Sequence, residues 1–77
     1  MPIRTYRVQT VWNDVGGRLA HVDGKIEWDR DDPKSVPHFL CEDGSKVAID
    51  KRHLKEVNER DLDFVYETPG FVRPPWL

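Results

Sequence analysis

Cysteine occurs once in these 77 residues, as Cys41, and no stretch approaches the roughly 18 apolar residues that a membrane-spanning helix needs. One cysteine excludes an intrachain disulfide and with it the usual staple of small secreted folds, so a reducing, cytoplasmic setting is the expectation. The opening MPIRTYRVQTVW has no apolar core of the kind a signal peptide carries, and the chain is read as intact. A dominant charge is also missing. Lys and Arg total 12 against 14 Asp and Glu, a net charge of −2, which gives no whole-surface attraction to phosphate backbones or anionic membranes. Any basic site must therefore be local, and no membrane partner is expected. Length is short as well: a chain of this size buries only about 60% of the surface it exposes when unfolded, leaving little room for a deep catalytic cleft.

What is present is enough for a core. Hydrophobic residues make up 38% and charged residues 34%, a balance that suits a soluble globular domain better than a disordered chain. Ile3 to Trp12 places Tyr6, Val8, Thr10 and Trp12 at alternate positions, the period of a strand with one exposed face. Asn13 to Gly17 then gathers residues that tolerate positive φ and ends that strand. Asp23-Gly24 reads as a two-residue hairpin loop that would put Leu19, His21, Ile26 and Trp28 on one buried face. Arg30 to Ser35 is a turn-rich loop ahead of a strand beginning near Val36. A second two-residue loop at Asp43-Gly44 would pair Leu40 with Val47 and His38 with Ile49, leaving Phe39 on the opposite face. Asp50 is placed to cap the N–H of Arg52 or His53, opening a short helix with Leu54 and Val57 on one side. Leu62 to Glu67 alternates again and is read as a strand, although Leu54, Val57, Leu62 and Val65 would also suit a longer helix. Thr68 to Leu77 holds three of the six prolines and reads as an extended, polyproline-like tail.

The run GKIEWD, a Pro-containing loop, PHFLCEDGSKVAI and then HLKEV resembles the small SH3-like barrels of the Tudor, KOW and related superfamilies. Gly24, Ile26, Trp28, Leu40, Asp43, Gly44, Val47, Ile49 and Leu54 carry that resemblance over about half the chain. It implies a mainly β fold: an SH3-like barrel of about five antiparallel strands with one short helix, residues 1–67, followed by the tail, residues 68–77. It also implies binding without chemistry, since such modules engage peptides, nucleic acids or larger complexes. The four-aromatic cage with which Tudor domains hold methylated side chains is not recognisable in the sequence.

His21, His38, His53 and Cys41 are the residues able to ligate a metal, but only His38 and Cys41 approach zinc spacing. Three residues apart in a strand they face opposite ways, so no metal and no cofactor is expected. His21 and His38 are read instead as histidines bonded to a carbonyl or carboxylate inside the fold. The acids Asp29, Asp31 and Asp32 sit in a turn, and Cys41 reads as packing; no enzyme is expected.

Two binding readings are open. In the first, Tyr6, Trp12, Phe39, Phe71 and Trp76 supply aromatic contacts and the acidic Asp31 and Asp32 meet a basic site on a protein partner. A subunit, an accessory factor or a virus-encoded modulator of a host complex would behave so. The tail would dock on its own body, on a second copy in a homodimer, or on another protein. In the second, Arg4, Arg7, Arg18, Lys51, Arg52 and Lys55, interleaved with Tyr6 and Trp12, contact nucleic acid.

Overall fold

Alternating apolar side chains at the start of the chain form a strand of ten residues, β1 (Arg4–Asn13), in a computed structural model that describes residues 3–77. The first two residues of the expected 1–67 domain lie outside the described residues. Five more strands follow: β2 (Leu19–Trp28), β3 (His38–Leu40), β4 (Lys46–Ala48), β5 (Leu54–Glu59) and β6 (Leu62–Glu67). They make one six-stranded sheet in the order β4-β3-β2-β1-β6-β5. All neighbours are antiparallel except β1 and β6, which run parallel with Val8 opposite Phe64 and Thr10 opposite Tyr66.

The fold is thus mainly β, and the expected closed barrel of antiparallel strands is corrected to an open, mixed sheet. β6 returns beside β1 in parallel and places β5 outside it, so β5 and the three-residue β4 end at opposite edges and do not pair. The ten-residue strands β1 and β2 each span about 33 Å, much of the 43 Å long axis of the molecule.

One face of the sheet is covered. Tyr6, Val8 and Thr10 of β1 share it with Gly24, Ile26 and Trp28 of β2, Phe39 of β3, and Phe64 and Tyr66 of β6. Val8, Ile26, Phe39, Ile49, Phe64 and Tyr66 form the buried cluster, against which Trp28, Cys41, Leu54, Trp76 and Leu77 pack. Burial of six large apolar side chains at about 1.5–3 kcal/mol each is the main stabilising term. The other face, with Arg7, His21, Lys25 and Lys55, is open except at Val11, which is buried.

Three local expectations are corrected. Asp23 and Gly24 are not a turn; they lie inside β2, opposite Gln9 and Val8. The β1–β2 reversal falls at Asp14 to Arg18, where Asp14 Oδ1 accepts from the N–H groups of Gly16 and Arg18, both at 2.9 Å, and Gly17 takes φ +76°. Leu19 and His21 consequently sit on the open face and are exposed. The β3–β4 connection is also one residue longer than expected. Cys41 N–H donates to the Ser45 carbonyl at 2.9 Å and Gly44, at φ +90°, to the Cys41 carbonyl, so Glu42, Asp43 and Gly44 form the loop. Phe39 then pairs with Val47 and points into the core, while His38 and Leu40 turn the other way. Finally, the short helix is a single 3-10 turn, Lys51–His53, capped by Asp50, whose Oδ1 accepts from Arg52 N–H at 2.9 Å; Leu54 already begins β5.

Candidate functional site

Two aromatic groups stand on the covered face. The first joins Tyr6 of β1, Trp28 at the end of β2 and Phe64 of β6, with ring centroids 5.4–6.5 Å apart and planes steeply inclined, the edge-to-face arrangement that ring quadrupoles favour. Arg30, two residues beyond β2, lays its guanidinium against all three, 5.1 Å from the Phe64 centroid and 6.0 Å from those of Tyr6 and Trp28. Glu56 of β5 holds it there through a paired contact, Nη1 to Oε1 at 3.3 Å and Nη2 to Oε2 at 3.1 Å. That hydrogen bonding to Glu56 raises the Arg30 pKa and keeps its charge fixed.

The second group is built around the tail. Trp76 lies 6.1 Å from Phe39 and 6.5 Å from Tyr66, and His53 meets the edge of Tyr66 at 6.2 Å. Burial raises the Tyr66 pKa and keeps its phenol neutral. Beside Trp76 runs a groove of about 800 Å³ lined by Trp12, Val22, Gly24 and Phe39, by Glu42 and Asp43 of the β3–β4 loop, and by Arg73 and Pro75 of the tail. A smaller groove of about 450 Å³, lined by Ile49, His53 and Tyr66 among others, follows the opposite flank of the tail.

Of the residues expected to meet a partner, Trp12, Phe39 and Trp76 come together along the larger groove. Trp12 and Phe39 are 7% and 3% exposed, so they shape it from within and do not project from the surface. Tyr6 belongs to the other aromatic group. Phe71 stands apart, 40% exposed in a second 3-10 turn at Pro69–Phe71. Asp31 and Asp32 remain in the exposed loop, where Asp31 N–H donates to Asp29 Oδ1 and Asp32 Oδ1 accepts from Lys34 N–H; they build its turns.

The basic residues of the alternative reading do not assemble. Arg4 and Arg18 flank opposite ends of the β1–β2 hairpin. Arg7 pairs with Asp61 at 3.8 Å, Arg52 with Asp50 at 2.7 Å and Lys55 with Glu67 at 2.6 Å, while Lys51 Nζ donates to the Pro33 carbonyl. His38 Nδ1 bonds the Val36 carbonyl at 2.8 Å, as a satisfied histidine would, and His21 is exposed. Among the described residues no three His, Cys, Asp or Glu side chains gather as a metal site would require. No helix is long and apolar enough to cross a membrane among them.

Arg30 and Glu56 escaped sequence reasoning. They lie 26 positions apart, one in a polar loop and one in a segment expected to be helical, and no local pattern joins them. Comparison with protein-family models, with curated proteins and with solved structures gives no match for this chain.

Proposed function

We propose that this protein is a non-enzymatic interaction module that engages a protein partner at the groove beside Trp76. The observation that carries the reading is the convergence of Trp12, Phe39 and Trp76 on one groove that Glu42 and Asp43 also line. Trp12 and Phe39, held from within, give the groove a rigid apolar floor, and Glu42 and Asp43 beside it favour a partner segment bearing Lys or Arg next to apolar residues. The likeness to small SH3-like modules supports the same reading, through the β3–β4 hairpin and the 3-10 turn that follows it in the order those modules use. The scatter of Arg4, Arg7, Arg18, Lys51, Arg52 and Lys55, three of them beside carboxylates, weighs against the nucleic-acid alternative, because among the described residues no continuous basic surface faces a phosphate backbone.

Val22 and Glu42 test it, since both line the groove and both are exposed. Val22→Asp and Glu42→Lys should each shift stability by no more than about 0.5 kcal/mol while reducing capture of the native partner at least about tenfold. Undiminished capture by both folded variants refutes the groove. Tight, steeply salt-dependent binding to DNA or RNA in a parallel titration would replace it with the nucleic-acid reading.

A further inference from the structure

The tail is attached to its own sheet by side-chain packing with almost no main-chain support. Thr68 N–H and Oγ1 still bond the Val11 carbonyl, which continues the β6 pairing by one residue. Beyond Thr68 the backbone bonds are internal to the tail: Phe71 N–H to the Thr68 carbonyl and Leu77 N–H to the Pro74 carbonyl, with Arg73 Nη2 reaching the Leu77 carbonyl at 2.9 Å. Pro69, Pro74 and Pro75 have no N–H to offer the sheet. Trp76 and Leu77 pack on the core cluster and Pro74 is buried, but the Trp76 Nε1 is buried without a partner, and grooves flank the segment on both sides.

The tail reaches this seat through a strained bend. Gly70 takes φ +67° and Phe71 takes φ +55°, two consecutive residues in the left-handed region. Glycine occupies that region freely, whereas a bulky Phe does so only when the surrounding structure holds it there. The Phe71 N–H bond to the Thr68 carbonyl holds the bend, while the residue itself is 40% exposed.

We infer that residues 72–77 form an exchangeable arm, and that two copies of the chain dimerise by each placing Trp76 and Leu77 in the seat of the other. Every contact the arm makes in its own seat is available, residue for residue, in the identical seat of a second copy. An extended hinge gives up the Phe71 N–H bond to the Thr68 carbonyl but lets Phe71 return to negative φ in both chains, so the exchanged form keeps the packing of the arm and releases the strain. Association entropy opposes it, which makes the balance depend on concentration. The inference does not depend on the partner proposed above.

The hinge sets the sign of the test. Full-length chains are followed by sedimentation and light scattering from micromolar to millimolar concentration. Phe71→Gly removes the penalty of the closed bend and should weaken dimerisation about tenfold or more. Phe71→Pro, with φ fixed near −65° and no N–H for the Thr68 carbonyl, forbids the closed bend and should strengthen it by at least a similar factor. Adding Trp76→Ala to Phe71→Pro should abolish the dimer. A Phe71→Pro chain that stays monomeric with Trp76 exposed to solvent overturns the inference, and so does a dimer that survives Trp76→Ala or ignores both hinge substitutions.

Discussion

A methyl group at position 24 has nowhere to go. A Cβ built on Gly24 falls 2.7 Å from Phe39 Cζ, so the ring of Phe39 lies directly on the β2 backbone and requires a residue without a side chain beneath it. Gly24→Ala should therefore destabilise the fold by about 1–3 kcal/mol, as overpacking does, read as a lower urea midpoint with an unchanged slope. A shift below a few tenths would mean that the ring moves aside freely. The contact explains why Asp23-Gly24 misleads: the dipeptide is a strong local turn signal, and what overrides it is a ring arriving from β3, which no local pattern announces. Asp50 shows the reverse case. Its capping role spans two residues, depends on nothing distant, and is legible in the sequence.

At the scale of the element, the 3-10 turn Lys51–His53 hangs on that same carboxylate. Hydrogen bonds from the Arg52 side chain, and then from its backbone N–H, lower the Asp50 pKa from 3.8 to about 2. A carboxyl held below its unfolded value contributes stability that is fully present above pH 3.8 and is lost as the pH falls towards 2. Asp43 is lowered in the same direction, by Ser45. Asp50→Asn should accordingly flatten the acid side of the stability curve across that window and leave its slope at neutral pH unchanged, measured as urea midpoints along a pH series. The parent chain losing no more stability over this window than Asp50→Asn would remove the cap from the account. The neighbouring hairpin was half legible for a geometric reason. Asp43-Gly44 marked the turn correctly, but a three-residue loop in place of two slips the pairing by one, and a slip of one exchanges the faces. Phe39 is buried by that slip.

At the scale of the whole molecule, the sheet order puts β1 and β2 in the middle and the three-residue β4 at an edge. Amides of Val8 and Thr10 should exchange only through global unfolding, while that of Val47, on the edge strand opposite Phe39, exchanges at least about tenfold faster through local fraying. Native-state hydrogen exchange measures both, and equal protection at the two places would contradict the layout. Strand content could be read from alternation, because Tyr6, Val8, Phe64 and Tyr66 each sit in a run of period two. Ile26 and Ile49 lie in the core as expected, but the expected hairpins assign Leu19 and Leu40 to the buried face and Phe39 to the other, and the registers reverse all three. Closure could not be read, since it depends on which strand β6 chooses as neighbour, and the choice of β1 is written in no single segment. That choice also joins Arg7 to Asp63, 56 positions apart, the Arg7 N–H donating to the side-chain Oδ2 of Asp63. On the ribosome the first long hairpin can form early, yet the flank of β1 that receives β6 stays uncovered until Leu62 to Glu67 have left the exit tunnel. Slow maturation, and a nascent chain that benefits from a chaperone while it waits, are what such a late-arriving neighbour entails.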